Sequence, residues 1–208
     1  LIRKDRVLST WERRASMTLT RELKRRGVNV IARTAVDRVD TGANLGATVH
    51  YRQGDSDEDR TAYGEVVLAA IGRVPNTDAD WFRSSGLKLD ERGYVTVDGY
   101  GRTNLDGVWA LGDITPGHAL AHRAFEQGIT IAEKIAGADP KPVLDDTVPQ
   151  VVFSFPEAAS VGLTLDQAKA REDVVEPKET AYPMLSNARM LMSGEGGSMT
   201  VVSGAFAN

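Results

Sequence analysis

The chain has 208 residues, 41% apolar and 26% charged, with a formal net charge of -4; this describes one large or two modest folded domains and excludes a mostly disordered polypeptide. No basic stripe dominates any stretch, and the cluster Arg21, Lys24, Arg25 and Arg26 has the spacing of a solvated helix face, so nucleic acid is not an expected partner. The absence of cysteine excludes disulfides, Cys-ligated metal and a thiol nucleophile from this chain, and no apolar run approaches the roughly 20 residues that a membrane helix needs.

In chain order, Leu1 and Ile2 read as the tail of a strand, without the apolar stretch of a signal peptide behind their neighbouring charges. Glu12 to Arg26 follows as a helix, because Ala15, Leu19 and Leu23 recur four apart, and Gly27 stands where a C-cap belongs. Val28, Val30 and Ile31 begin a second strand; Val36 and Val39 continue an extended pattern, and Ala47 to Arg52 is another strand. The polar run Gly54 to Arg60 is a turn tip, and Glu65 to Ile71 reads as a buried strand. Tyr94–Val97 and Val108–Leu111 are further short strands, the latter ended by Gly112-Asp113, and Leu120 to Ile135 is a helix closed by Gly137. Lys141 to Thr147, polar and bracketed by prolines, is the natural linker to a last segment that begins near Val148. The absence of an initiating Met and the strand-like run Met199–Ser203 close to the C-terminus give the expectation that both ends are cut from a longer sequence.

The most informative stretch is Thr103 to Ile114, a turn feeding a buried strand whose end presents Gly112 and Asp113. A carboxylate at the C-terminal end of a strand can accept hydrogen bonds from sugar-like hydroxyls, and the adjacent glycine lets a ligand approach the backbone. The same dipeptide alone also reads as an ordinary strand-ending turn. Its context is His118-Ala119-Leu120-Ala121-His122, which opens a helix. This combination resembles the second flavin motif of the pyridine nucleotide–disulfide oxidoreductases, the family of dihydrolipoamide dehydrogenase and glutathione reductase. Two further stretches are similar to the same family: Ala70-Ile71-Gly72-Arg73-Val74-Pro75-Asn76-Thr77, where the chain leaves a nicotinamide domain, and Pro149 to Thr164, where a dimerisation domain starts.

The resemblance implies an α/β fold: the later part of a Rossmann-like NAD(P)-binding domain over 1–77, the return segment of an FAD-binding domain over 78–140, and the start of an α+β dimerisation domain over 147–208. It implies FAD contacts from Gly112, Asp113, Leu120, Ala121 and His122, with Asp113 at the ribityl chain and the helix start beneath the flavin pyrimidine edge, where its dipole stabilises negative charge. It implies NAD(P) contacts from Gly72, Val36 and Arg3. In NAD-using relatives an acidic residue at the end of the strand holds the ribose 2'-OH; that position here is Ile2. Arg3 matches one of two arginines that pair with the 2'-phosphate in NADPH-using relatives, with Ser9 in place of the second.

The implied activity is electron transfer between NAD(P)(H) and a dithiol through FAD and a redox disulfide, most simply dihydrolipoamide oxidation by a cytoplasmic homodimer, with a lipoyl-bearing protein as a possible partner. The redox cysteines and the acid–base histidine of the family lie outside this chain, so no catalytic residue is assigned to it and the chain alone is expected to be inactive. The same scaffold also carries NADPH-dependent glutathione- or mycothiol-type reductases, soluble transhydrogenases and quinone reductases. A non-catalytic, truncated nucleotide-binding protein is the alternative of a different class.

Overall fold

The computed structural model describes residues 1–42, 46–193 and 196–206. Two compact units share the chain: Leu1–Val36, Tyr51–Glu58 and Val152–Asn208 form one, and Asp37–His50 with Asp59–Val151 the other.

The first unit opens with a strand–helix–strand arrangement. Helix α1 (Arg13–Arg25) starts at Glu12, whose carboxylate accepts the Arg14 and Ala15 N–H groups at 2.6 and 3.0 Å. This satisfies two donors that a helix N-terminus otherwise leaves orphaned. Leu19 and Ser16 are buried on the inner face, and the Ser16 hydroxyl donates to the Val7 carbonyl. Gly27, at φ +82°, ends the helix in the left-handed conformation that glycine tolerates best. The chain then returns beside Ile2: the Ile2 N–H donates to Ile31 O at 2.8 Å, the Thr34 N–H donates to Ile2 O at 3.0 Å, and Ile2 bridges Ala32 in parallel. The strand expected to begin at Val28–Ile31 is thus reduced to an isolated bridge at Ala32.

Strands β1 (Thr34–Thr41), β2 (Ala47–Gln53) and β3 (Arg60–Gly64) form a sheet in that order, and the first two contribute residues to both units. Glu65–Ile71, expected as a buried strand, is instead a bend at Glu65 and Val66 followed by irregular chain, and belongs to no sheet among the described residues. Val66 and Leu68 are each 87% exposed and Ile71 94% exposed. An apolar run becomes a strand only when neighbours accept its backbone hydrogen bonds and cover its faces, and the described residues supply neither.

The second unit is built on Val95, which is fully buried, with Phe82 of helix α2 (Asp80–Ser84) and Ala110 around it and Leu87, Val97 and Ile114 at its margin. The two strands expected here are single antiparallel bridges, Leu89 to Val95 and Arg102 to Trp109. Helix α3 (Ala121–Ile135) closes the unit and stops before Gly137, which has φ +85°. Ile131 on its inner face packs so tightly on Gly101 that a Cβ there would lie 2.8 Å from both Ile131 Cδ1 and the Ala110 carbonyl oxygen.

The chain's last part pairs β4 (Gln150–Val152) with β5 (Ala158–Ser160), then forms helix α4 (Leu165–Lys169) behind a reciprocal cap between Thr164 and Gln167. Strand β6 (Val174–Pro183) runs antiparallel to β7 (Ser198–Phe206), with Tyr182 opposite Met199, and helix α5 (Ala188–Ser193) lies between them in sequence.

The molecule exposes 15225 Å². A compact monomer of this mass exposes roughly 9,500 Å², and two separate compact units of half the mass roughly 11,400 Å². Among its large apolar side chains Val66, Leu68, Ile71, Val74 and Phe153 are each more than four-fifths exposed. Val95 is the most completely buried residue of the second unit's core cluster. Val95→Ala is expected to cost about 2 kcal/mol through lost burial and the remaining cavity, read as a lowered midpoint in urea unfolding with an unchanged slope.

Candidate functional site

The turn Gly112–Ile114 and the start of α3 form the one constellation of expected site residues that lies wholly within a single unit. Gly112 has φ +74°, and a Cβ there would sit 3.4 Å from the Ala124 methyl, so the turn lies directly against the helix. The Gly112 N–H donates to Gln127 Oε1 at 2.8 Å. The Gly112 carbonyl accepts both the Thr115 N–H at 3.0 Å and the Thr115 hydroxyl at 2.8 Å, and Thr115 is almost wholly buried. Ile114 O in turn accepts the N–H of the core residue Val95 at 2.8 Å. Three backbone groups of the turn, the Gly112 N–H and the Gly112 and Ile114 carbonyls, are thus engaged with the unit. The outer side is left open: Asp113 is exposed, and its carboxylate has no hydrogen bond or ion pair among the described residues.

Helix α3 begins without a cap. Leu120 is extended at φ -134° and contributes no side-chain acceptor, and the first turn contains no acidic residue. The N–H groups of the first turn therefore lack intrahelical partners and carry the positive end of the helix dipole. Ala121 and His122 are both exposed there, and Leu120 is half-buried. His122 is tied backwards rather than outwards, since its Nε2 lies 2.7 Å from Pro149 O and must donate to that carbonyl. His118 Nε2 lies 3.2 Å from the Gln150 side-chain nitrogen. A free carboxylate, a glycine pressed against a helix and an uncapped helix start fit a ligand with hydroxyl groups at one end and electron-rich acceptors at the other, as a flavin with its ribityl chain has.

The residues expected at a nicotinamide nucleotide are distributed differently. Arg3 and Val36 lie in the first unit and Gly72 in the second. Arg3 is exposed beside the Ile2–Ala32 bridge and makes no hydrogen bond or ion pair among the described residues, while Val36 is exposed on β1. Gly72 has φ +134° with open space where a Cβ would point. The exit turn after it is anchored by Thr77, whose buried hydroxyl donates to Gly93 O at 2.6 Å.

The geometry also identifies residues to which sequence reading gave no role. Gln127 and Thr115 hold the turn, and Arg123 and Asp145 hold the loop before α3, Nε to Oδ1 at 2.7 Å. Gln127 had a legible signal: Ala124, Gln127 and Ile131 follow helical spacing, which puts a polar side chain in the middle of an inward face. Such a residue needs a partner, and the turn provides it.

Residues 1–128 match the family model described as pyridine nucleotide-disulphide oxidoreductase. The chain belongs to that family. Its relatives include dihydrolipoyl dehydrogenases from Geobacillus stearothermophilus, 39% identical over 89% of this chain and 38% of the relative, and from Cupriavidus necator, 38% identical over 84% of this chain and 36% of the relative. Among solved structures, LpdA from Mycobacterium tuberculosis superposes with a TM-score of 0.80 at 30% identity, over 92% of this chain and 40% of LpdA. The HOCl-induced flavoprotein disulfide reductase RclA from Escherichia coli gives a TM-score of 0.82 over 98% of this chain and 45% of RclA; at 23% identity it speaks for the fold alone. The chain spans about two fifths of the length of the relatives it matches. The α/β class read from the sequence is the fold of this family.

Thr115→Val removes a buried hydroxyl and leaves the Gly112 carbonyl with one partner fewer. The expected cost is about 1 kcal/mol in denaturant unfolding, whereas Asp113→Asn, at an exposed carboxylate without a partner, should change stability by less than about 0.5 kcal/mol.

Proposed function

We propose that this chain is one part of a longer flavoprotein that transfers electrons between NAD(P)(H) and a dithiol or disulfide, most simply a dihydrolipoyl dehydrogenase. The observation that carries the reading is the pairing of the free Asp113 carboxylate with the uncapped start of α3, joined through Gln127. Asp113 would accept hydrogen bonds from the ribityl hydroxyls, Gly112 would admit them to the backbone, and the N–H groups around Leu120, Ala121 and His122 would face the electron-rich edge of the flavin. When bound, FAD supplies the hydride and electron chemistry that no side chain of this chain can perform. The chain contains no cysteine, so the redox disulfide would come from elsewhere in the polypeptide, and the chain alone would be inactive.

In the same reading, residues 1–77 belong to the NAD(P)-binding domain, 78–140 to the FAD-binding domain and 147–208 to a dimerisation domain. Gly72 and Val36 would lie against the nicotinamide nucleotide. The strand edges of the last segment would contribute to a homodimer, with a lipoyl-bearing protein as the partner that delivers substrate. No helix among the described residues is long and apolar enough to cross a membrane, in keeping with a cytoplasmic enzyme. The exposed Val66, Leu68 and Ile71 would be covered by the remainder of the nucleotide-binding sheet.

One observation favours an NADPH-dependent reductase on the same scaffold, of the glutathione, mycothiol or quinone type, or a transhydrogenase. Ile2 offers no carboxylate to a ribose 2'-OH, whereas Arg3 is a free guanidinium beside it. Guanidinium pairs well with a 2'-phosphate.

Two variants of the longer protein test the reading. Asp113→Ala should raise the FAD dissociation constant by about tenfold or more, as expected for losing charge-assisted hydrogen bonds of about 1.5–3 kcal/mol; unchanged FAD affinity would remove Asp113 from the site. Arg3→Ala should lower kcat/KM for NADPH by about tenfold relative to NADH. An unchanged ratio between the two nucleotides would return the assignment to an NAD enzyme.

A further inference from the structure

Arg123 is the third residue of α3, on the turn whose N–H groups are expected to face the flavin, yet its own side chain points inward and is 6% exposed. A cation in the first turn of a helix opposes the dipole, and burial adds a desolvation penalty unless the charge is paired. The pairing is specific. Arg123 Nε donates to Asp145 Oδ1 at 2.7 Å, and Nη2 donates to the Pro116 carbonyl at 2.6 Å. Its Nη1 is buried without a partner among the described residues. Gly117, at φ +124°, provides the room: a Cβ there would collide with the Arg123 guanidinium and lie 2.6 Å from Asp145 Oδ2. Asp145 starts a short 3-10 turn, and one residue beyond that turn's buried cap Val148 lies Pro149, whose carbonyl is held by His122.

This single guanidinium thus ties together three pieces of chain. They are the loop 115–118 that follows Asp113, the first turn of α3, and the segment 145–149. The loop directly follows Gly112 and Asp113, and the helix start carries Ala121 and His122 behind the N-cap Leu120. The last leads out of the unit.

We propose that Arg123 and Asp145 form a positioning pair for the flavin: Arg123 sets the distance between the Asp113 turn and the α3 start, and the two opposed charges behind that start tune how readily bound flavin is reduced. The proposal rests on the flavin reading given above. A flavin bound as proposed would turn toward the helix the edge that gains negative charge on reduction. A buried positive charge behind the helix start favours the reduced form, and the Asp145 carboxylate, whose side chain is 42% exposed, partly cancels it. The two residues therefore act with opposite sign, and Asp145 acts more weakly because water screens it.

The test uses the full-length flavoprotein and measures the flavin midpoint potential and the FAD dissociation constant. Asp145→Asn should raise the potential and Arg123→Met should lower it, the latter by about tenfold in the ratio of reduced to oxidised flavin at fixed potential, which is about 30 mV for a two-electron couple. Arg123→Lys keeps the charge but loses the forked contact to Pro116 and Asp145. It should leave the potential near that of the wild type while raising the FAD dissociation constant severalfold. If Arg123→Met does not fold, the Lys and Asn variants retain the separation between charge and positioning. Shifts of the same sign for Asp145→Asn and Arg123→Met, or no shift in potential together with unchanged FAD affinity in Asp145→Asn and Arg123→Lys, would overturn the pair while leaving the flavin reading intact. A wild-type protein that binds no FAD would instead overturn the reading itself, and the pair with it.

Discussion

The hydrogen bond from the Gly112 N–H to the Gln127 side chain joins a three-residue turn to a fifteen-residue helix. Neither partner could hold the site alone. Among the described residues the turn has no sheet to fix it, because the strand expected to lead into it is reduced to one bridge at Trp109. The helix has no cap to fix its first turn. The bond and the close approach of Gly112 to Ala124 make one object of the two, and Thr115 and Val95 anchor that object in the core. A larger residue at 112 would push the turn away from the helix and demand a conformation that L side chains rarely adopt.

The energetic problem of the chain lies elsewhere, in apolar side chains with nothing to bury them. Val66, Leu68, Ile71 and Val74 are all more than four-fifths exposed along one irregular segment, and Phe125 and Ile129 lie on the outer face of α3. Burying such residues is worth on the order of 1.5–3 kcal/mol each. Their exposure accords with a chain that spans about two fifths of its relatives. The site is better defined than the nucleotide face because its supports are local. The contacts that hold Gly112 itself, from Thr115, Ala124 and Gln127, lie within residues 112–127, whereas a parallel sheet draws its strands from distant parts of a chain.

Much of this was legible in the residues themselves. Ala15, Leu19 and Leu23 marked α1, Gly27 and Gly137 marked helix ends, and Gly112-Asp113 ahead of Leu120-Ala121-His122 marked the candidate site. Each depends on a local rule of periodicity, capping or turn chemistry. The misreadings share one cause. Glu65–Ile71, Tyr94–Val97 and Val108–Leu111 have strand composition, but a strand also needs partners for its N–H and C=O groups, and pairing is a long-range property that a short window of sequence does not contain. Arg123 escaped for the opposite reason. In sequence it is a cation at a helix start, where charge is normally solvated. Only the fold shows that Gly117 makes room for it and that Asp145, 22 residues away, meets it.

The account turns on whether a redox flavin sits at the Asp113 turn and is reduced by a nicotinamide nucleotide. An anaerobic titration of the full-length protein with NADPH and then NADH, followed by visible absorption, measures this directly. The account predicts a protein-bound flavin band that bleaches on nucleotide addition, with a long-wavelength charge-transfer band if a cysteine thiolate lies against the ring. A protein purified without flavin, or a flavin band that neither nucleotide alters, would contradict it.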